Sequence, residues 1–425
     1  MIRLLILAMA VAATLNALFA LLQKFGLAHV LYPLINGAAR GVAYGNLRQS
    51  NQMATLTAIG IASFLFLQAQ GARSWLMMPA LALLAAANAA TGSRTGLVLL
   101  VLIGAFLWMR QRNRMALIST LTIGFGYGLI VWVLRGGDTG IARAVDAQLS
   151  CGSRVILWSN VMELIQQRPL TGWGWGRLDE AYFLTLFSAP RSCEMPDNAH
   201  NLPLHLAAEL GLPLTLGFLF LCLWGVWKAR PWKETDRGKL WAWAVLSMIG
   251  VHSLLEYPLW YGPFQVLTVA CLMVLVWARA LPATLCSLGW LQPLATGLLA
   301  VCGAMLVGAA WDYHRVSQLY LATEQRSPLY RDGTFQQVSR SVFFSDQLDF
   351  ANLTTRRITL ENAASSAELA RSLLAYSPEP RVVERLVFSL RLLGREAEAG
   401  FFAQRFQAAY PQEYAQWLRQ VQPAE

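Results

Sequence analysis

The stretch Asp197-Asn198-Ala199-His200-Asn201-Leu202-Pro203-Leu204-His205-Leu206-Ala207-Ala208-Glu209-Leu210-Gly211 ends the longest polar segment of this sequence. An apolar run at 212–228, long enough to cross a membrane, follows it directly. The order of residues predicts a helix whose first turn carries His200 at a membrane–water boundary. The other segments of the chain are interpreted around this histidine.

The composition is that of a polytopic membrane protein. The 425 residues are 56% hydrophobic and only 14% charged, whereas soluble domains carry roughly 25% charged residues. The 16 tryptophans are typical of interfacial belts at the ends of spans. The formal net charge of +10 is assigned first to cytoplasmic loops and second to binding of something anionic. Nucleic acid is a poor candidate partner, because the basic residues are spread among apolar runs.

A spanning helix needs roughly 20 apolar residues. By this criterion an all-α fold with about nine spans is predicted, near 2–22, 52–70, 75–91, 95–109, 115–134, 212–228, 239–257, 263–279 and 289–309. Arg73, 110–114, 228–239 and Arg279 supply basic residues to alternate loops, and the positive-inside rule places those loops in the cytoplasm. The segments 23–51, 135–211 and 258–262, and the chain after about 310, are then expected on the outer side.

Four parts follow from this pattern: N-terminal spans at 1–134, a large outer loop at 135–211, C-terminal spans at 212–309, and a helical tail at 310–425. Tyr376 and Tyr410 in the tail lie 410 − 376 = 34 positions apart, each close to a proline. This spacing resembles that of tetratricopeptide helix pairs, which dock proteins or peptides. A generic helical tail is the alternative interpretation.

Several polar features lie beside predicted spans. The glycine- and amide-rich stretch 40–52 indicates ordered backbone that lines a polar cavity, although an ordinary solvated loop has a similar composition. Arg94 stands at a span terminus, where snorkelling to the interface would explain it without a function. Glu256 stands at a membrane boundary, where an acid needs a partner, and we expect one of the outer arginines.

The large outer loop has two local signals. Residues 153–165 show apolar spacing typical of a helix, which the segment 168–176 should end. Trp173 and Trp175 alternate there with glycines, and the rings suit either a sugar-stacking wall or an interfacial anchor. In an oxidising compartment Cys151 and Cys193 would pair.

Arginines and one histidine dominate the outer segments. Guanidinium groups are suited to bidentate binding of pyrophosphate, and His200 beside them can accept a proton from a hydroxyl nucleophile. His200 and His205 are five positions apart without an acidic cluster, so a metal site is not expected. We infer transfer from a pyrophosphate-linked lipid to a hydroxyl acceptor, without nucleotide, metal or cofactor.

A set of motifs in this chain resembles those of the O-antigen ligase and polymerase superfamily. They are Ser93-Arg94-Thr95-Gly96, Ser153-Arg154 with Trp158, Pro169 to Gly174, and His200-Asn201 with Leu204, Glu209 and Gly211. Residues 46–52, Glu256-Tyr257-Pro258-Leu259 and the helical C-terminal region resemble the bacterial protein O-oligosaccharyltransferases. The resemblance covers nearly the whole chain.

This resemblance implies a GT-C-like, metal-independent glycosyltransferase of the bacterial inner membrane, with its active site and tail in the periplasm. It would move a glycan en bloc from undecaprenyl pyrophosphate to an acceptor such as a pilin. His200 takes the catalytic role, and Arg94 and Arg154 hold the pyrophosphate. The weaker candidates for lining the cavity are Arg48, Gln49, Asn51, Glu209, Glu256 and Tyr257.

Two other functions remain open at the level of the sequence. One is ligation of O-antigen to the lipid A core or polymerisation of its repeat units, which is similar chemistry with a carbohydrate acceptor. The other is a membrane transporter, which the scarcity of ionisable residues at mid-span disfavours. The resemblance also implies several more spans before residue 40 than the single one present, as expected of a truncated chain or a misassigned start.

Overall fold

The structure, a computed structural model, describes residues 2–37, 41–70, 74–111, 127, 152–280 and 291–421. Over these residues the fold consists of helices and connecting loops, with no β-strand. Three helical segments, Ile2–Lys24, Ser50–Gln68 and Leu212–Lys233, are long and apolar enough to cross a membrane. Shorter apolar helices lie at Met77–Thr91, Arg94–Ala105 and Gly262–Val276. The predicted all-α class with several apolar helices is confirmed.

Four helices precede the large loop: α1 (Ile2–Lys24), α2 (Ser50–Ala69), α3 (Ser74–Thr91) and α4 (Arg94–Gln111). The loop contains α5 (Arg154–Gln167), α6 (Leu178–Leu184) and α7 (Leu202–Leu210). Apolar helices α8 (Leu212–Ala229), α9 (Arg237–Ser253), α10 (Gly262–Ala280) and α11 (Leu291–Ser317) follow. The tail is α12 (Thr334–Gln337), α13 (Ser345–Thr355), α14 (Ala363–Leu373), α15 (Pro380–Leu392), α16 (Glu396–Ala409) and α17 (Pro411–Val421).

Every predicted span except 115–134 overlaps one of these helices. The span 115–134 lies outside the described residues, apart from Tyr127. The number of spans, their orientation and the four-part division of the chain stay predictions. The chain folds into two compact units. Unit 1 is drawn from Met1–Ala147, His200–Pro203 and Gly217–Leu281, and unit 2 from Gln148–Ala199, Leu204–Leu216 and Pro282–Glu425.

Small residues allow the helices of unit 1 to pack closely. Ala10, Ala13, Ala17 and Ala20 are buried along one face of α1 at spacings of three and four residues, which places them on one side of a helix. A Cβ added to Gly60 of α2 would lie 2.4 Å from the Cβ of Ala13. Close backbone approach of this kind is how helices associate in membranes.

Unit 2 has apolar cores of its own. One core packs α13 to α17 together with Phe183 and Leu184 of α6, and Arg405 of α16 donates its Nε–H to the carbonyl of Leu184 at 2.7 Å. Gly394 takes φ +69° and ends α15 in a Schellman arrangement, because Arg395 N–H bonds to the Leu390 carbonyl. The predicted helical tail is therefore observed, while its tetratricopeptide character stays a prediction.

Candidate active site

His200 lies two residues before a helix and not within one. Helix α7 begins at Leu202, so the prediction that its first turn carries the histidine is wrong. His200 takes φ +50°, in the left-handed region, which costs about 1 kcal/mol for a residue with a Cβ. Strain of this kind persists where neighbouring contacts impose it, and it clusters at functional sites.

Two contacts fix His200 and its neighbour against the loop after α9. His200 Nδ1 lies 2.7 Å from Glu256 Oε2, and the Asn201 side-chain amide donates to the carbonyl of Leu254 at 3.0 Å. The Glu256 side chain is 3% exposed and that of His200 is 30% exposed. Thus a buried carboxylate binds one edge of a solvent-accessible imidazole. The residue pattern had indicated an arginine as the partner of Glu256, and the structure places His200 there.

This contact assigns the two ring nitrogens of His200 different roles. An ionised carboxylate only accepts hydrogen bonds, so with Glu256 ionised Nδ1 carries the hydrogen, and the lone pair of the unprotonated ring is on Nε2. A histidine oriented in this way by an acid is suited to act as a general base through Nε2. Tyr257 packs against the same ring edge to face, with the ring centroids 4.9 Å apart.

Glu256 also binds the first turn of α2. Its Oε1 accepts a hydrogen bond of 2.7 Å from Asn51 Nδ2, and Asn51 Oδ1 accepts one of 2.6 Å from the Ser93 hydroxyl. Asn51 was predicted to line the cavity, and the structure brings it into contact with the carboxylate that binds His200. Ser93 was noticed only as part of a motif, because a serine at a helix N-terminus is usually a cap.

A buried histidine also lies near this network. His252 Nδ1 in α9 is 2.8 Å from the Thr55 hydroxyl in α2, and His252 is fully buried. Sequence reasoning did not single out either residue. Their only signal was a polar side chain within an apolar run, which is a functional candidate in a membrane.

The other predicted residues of unit 1 have distinct surroundings. Arg94 is the first residue of α4 and directly follows Ser93. Its exposed side chain forms no hydrogen bond or ion pair with the residues that the structure describes. Arg48 is also exposed, takes φ +59° and donates to Asn36 at 3.3 Å. Gln49 caps α2, because its side-chain oxygen accepts from Gln52 N–H at 2.7 Å.

Arg154 belongs to unit 2, where it is the half-buried first residue of α5. Ser153 caps this helix by accepting from the N–H of Ile156 at 3.4 Å. Trp158, on the next turn, donates its indole N–H to the carbonyl of Ala199 at 2.9 Å. The predicted helix after 153 is confirmed, and it ends at Gln167, before the glycine-rich segment.

Glu209 is held by that glycine-rich segment. Desolvation by burial raises the pKa of Glu209, and backbone hydrogen bonds to its carboxylate from Gly176, Arg177 and Leu178 partly offset this rise. The indole N–H of Trp173 donates to the carbonyl of Leu164 at 3.0 Å. Glu209 and Trp173 therefore have structural contacts within unit 2, and of the two tryptophans only Trp175 is largely exposed.

The glycines are required where this segment meets the end of α7. A Cβ on Gly172 would lie 2.3 Å from the Glu209 carbonyl oxygen, and one on Gly211 would lie 2.3 Å from the Leu170 carbonyl oxygen. Both glycines have positive φ, +65° and +80°. Only glycine tolerates this conformation without strain at such short approach. The Pro169 to Gly174 and Glu209 to Gly211 motifs thus form one packed backbone crossing.

His205 and Cys193 are the remaining candidates from the sequence. His205 Nε2 is 3.4 Å from Glu209 Oε2, but desolvation lowers the pKa of His205 to about 4, so the ring is neutral at pH 7 and the contact is not a true ion pair. Cys193 is disulfide-bonded. Its predicted partner Cys151 lies outside the described residues. A Cβ added to Gly152, the residue after Cys151, would lie 3.9 Å from Cys193 Sγ. Among the described residues no group of three or more His, Cys, Asp or Glu side chains is placed to hold a metal ion.

Three family profiles match successive segments of the chain. Residues 43–67 match a family described as "Protein glycosylation ligase", 79–219 match "O-Antigen ligase", and 240–425 match "Virulence factor membrane-bound polymerase, C-terminal". Asn51, His200 and Glu256 each come from a different matched segment. The structure therefore joins in one site residues that the three profiles cover separately.

Two curated proteins of Acinetobacter baylyi are similar to this chain. One is named "General O-oligosaccharyltransferase" and is 27% identical over 309 residues, which are 66% of this chain and 52% of that protein. The other is named "ComP-specific O-oligosaccharyltransferase" and is 23% identical over 265 residues, 60% of this chain and 48% of that protein. The chain spans about half the length of the curated relatives it matches. No solved structure matches it significantly.

These matches confirm the resemblance to the O-antigen ligase and polymerase superfamily and to the bacterial protein O-oligosaccharyltransferases.

Proposed function

We propose that this chain is a metal-independent glycosyltransferase that carries out protein O-glycosylation. It would move an oligosaccharide en bloc from undecaprenyl pyrophosphate to a serine or threonine hydroxyl of a periplasmic protein such as a pilin. The observation that carries the proposal is the 2.7 Å contact of His200 Nδ1 with the buried Glu256 carboxylate. It occurs in a chain whose curated relatives are named O-oligosaccharyltransferases.

The contact suits His200 to accept the acceptor's proton. The acceptor oxygen attacks the anomeric carbon of the first sugar, and the bond from that carbon to the pyrophosphate oxygen breaks. The hydroxyl proton passes to Nε2 of His200, and undecaprenyl pyrophosphate leaves with the bonding electrons. Glu256 stabilises the imidazolium that forms, as an acid partner does for a catalytic histidine. A single displacement of this kind inverts the anomeric carbon.

Arginines would bind the charged end of the donor. Arg94 directly follows Ser93, which hydrogen-bonds to the same network as Glu256, and its guanidinium is exposed. Planar guanidinium groups bind phosphate oxygens in pairs and offset the charge that develops on a pyrophosphate leaving group. Arg154 is proposed for the same role. This arrangement uses no cofactor, because the donor is already activated by its pyrophosphate.

We place the chain in the bacterial inner membrane, with His200 and the tail in the periplasm. Helices of spanning length and the basic residues in alternate loops support this placement. The tail is a candidate docking module for the acceptor protein.

The experiment uses a cell that makes an undecaprenyl-linked glycan but lacks its own ligase. The full chain is co-expressed with a pilin acceptor, and glycosylated pilin and glycan on the lipid A core are scored together. His200→Ala should abolish the modified pilin. His29→Ala serves as the matched control, since His29 is an exposed histidine that contacts the carbonyl of Gly26. Unmodified pilin with a well-expressed wild-type chain would contradict the proposal.

The second candidate is an O-antigen ligase or polymerase. It is favoured by the matches of 79–219 and 240–425, whose family descriptions name a ligase and a polymerase. Glycan that appears on the lipid A core alone, or as longer polymers on the lipid carrier, would establish this alternative. Loss of that product in His200→Ala would then assign the same chemistry to a carbohydrate acceptor.

A further inference from the structure

The hydrogen bonds that begin at Glu256 continue through α2 to the start of α4. Ser93 precedes α4, is almost fully buried and donates to Asn51 Oδ1 at 2.6 Å. The Ser93 oxygen accepts in turn from Gly96 N–H at 3.2 Å. The chain of contacts thus runs from the start of α4, through Asn51 on α2, to Glu256 and His200.

With Glu256 ionised, the donors and acceptors in this chain of contacts can be arranged in one direction only. The carboxylate accepts, so Asn51 presents its NH2 group to it and its carbonyl oxygen to Ser93. That oxygen requires a donor, so the Ser93 hydroxyl hydrogen points to Asn51 and its lone pair receives Gly96 N–H. Each of these groups, from Gly96 to the carboxylate, has a partner in this arrangement. If the Asn51 amide were turned over, its oxygen would face the Glu256 carboxylate, and two acceptors would then meet.

Close packing keeps the two supporting residues at a fixed separation. A Cβ on Gly96 would lie 2.6 Å from Asn88 Oδ1 and 2.9 Å from the Cβ of Ala54, so α4 approaches α2 and α3 closely. Asn88 of α3 donates to the Ala54 carbonyl at 2.9 Å and to the Thr57 hydroxyl at 2.7 Å. Three helices therefore hold Asn51 and Ser93 rigidly, as the support of a catalytic group requires.

We infer that Asn51 and Ser93 are positioning residues that orient His200 through Glu256. Asn51 holds the carboxylate in the rotamer that meets Nδ1, and Ser93 fixes which end of the Asn51 amide faces it. Their role in transfer rests on the proposed function, whereas their effect on the His200 ring does not. The Ser93-Arg94 motif then has two functions, since Ser93 supports the base and the exposed Arg94, the next residue, is the one proposed to bind the pyrophosphate.

The kinetic test compares hydroxyl deletions in the full chain. Ser93→Ala should lower kcat for glycan transfer roughly 10- to 100-fold, as for small misplacements of a reacting group, with acceptor KM unchanged. Ser93→Thr keeps the donor and should recover most of the rate. Ser63→Ala is the matched control, because Ser63 is also a buried hydroxyl of unit 1 and binds Ile59 and Trp241 instead. A Ser93→Ala rate equal to that of Ser63→Ala would overturn the inference.

A second readout does not depend on transfer activity. Diethyl pyrocarbonate acylates neutral imidazoles, and mass spectrometry gives the rate at His200 relative to the exposed His29 and His314 of the same chain. Ser93→Ala removes the hydroxyl that orients the Asn51 amide, and Asn51→Asp sets a second carboxylate against Glu256. Both variants should therefore disturb the Glu256–His200 contact and slow the acylation of His200 severalfold at equal thermal stability. Unchanged acylation rates would refute the positioning role of Asn51 and Ser93. Slower acylation in these variants of a chain that transfers no glycan would support the positioning role and reject the proposed function.

Discussion

Glu256→Gln removes the charge of the His200 partner. Glutamine keeps the shape of the side chain and can still accept from His200 Nδ1 through its oxygen, while its NH2 group replaces the oxygen that accepts from Asn51 and requires the Asn51 amide to turn over. A hydrogen bond to a charged group contributes about 1.5–3 kcal/mol, against about 1 kcal/mol for a neutral one. The loss of roughly 1–2 kcal/mol in the transition state, at about 1.36 kcal/mol per tenfold change, corresponds to a kcat about 5- to 30-fold lower.

Glu256→Ala should be more severe, because it leaves His200 Nδ1 and Asn51 Nδ2 without their shared acceptor. We expect a loss of roughly 100-fold or more, typical of removing an orienting residue from a catalytic site. The assay is the initial rate of glycan transfer to a purified acceptor by the full chain in liposomes, at varied acceptor concentration. The fall should appear in kcat and not in KM.

Glu163→Gln is the control for these two variants. The Glu163 carboxylate accepts from the backbone and hydroxyl of Ser188 in unit 2, so it loses the same charge outside the site. The reasoning is refuted if Glu256→Gln transfers at the wild-type rate, or if its rate falls only in proportion to a loss of folded protein.

Three further predictions concern stability and pH. His200→Gly should be inactive but about 1 kcal/mol more stable than His200→Ala, because φ +50° strains any residue with a Cβ; equal melting temperatures would contradict this. Gly172→Ala should destabilise the chain by more than about 2 kcal/mol, since its Cβ would meet the Glu209 carbonyl at 2.3 Å. The control Gly176→Ala places its Cβ within 4 Å of no atom and bears only the strain of φ +68°. The protease resistance of unit 2 should therefore fall more in Gly172→Ala than in Gly176→Ala. Burial raises the pKa of Asp179 from 3.8 to about 7, and the charges of Asp197 and Glu180 add to the rise. Because the pKa is higher in the folded state, the protonated Asp179 contributes stability below about pH 4, and this contribution is lost as the pH rises to 7. Asp179→Asn should remove this pH dependence from melting temperatures recorded between pH 4 and 8.

Much of the architecture could be predicted from the sequence because apolar length is a local property. Each predicted span that the structure describes overlaps a helix, although the helix of the span 239–257 ends at Ser253, and the segment 168–176 ends the preceding helix as expected. The prediction for His200 was less accurate, since helix α7 begins two residues later. Pro203 is compatible with the first turn of a helix, so the residue types alone did not mark Leu202 as the start.

The roles of polar residues were harder to predict, because one residue type serves several purposes. Glu209 had the same motif-based support as Glu256, yet it binds backbone N–H groups of the glycine-rich segment. Gln49 and Asn51 are two positions apart in one amide-rich stretch, but Gln49 caps α2 while Asn51 reaches Glu256. Trp173 is fixed by a hydrogen bond to Leu164, which composition could not distinguish from a sugar-binding wall.

The helical class, the apolar segments and the histidine around which the site is built follow from the order of residues alone. The packing of the helices was needed to show that His200 meets Glu256 across 56 positions, Glu256 meets Asn51 across 205, and Asn51 meets Ser93 across 42. Burial of apolar surface depends on local composition and is therefore visible in the sequence. A hydrogen bond forms only within about 3 Å and at a narrow range of angles, so its partners are chosen by how the helices pack.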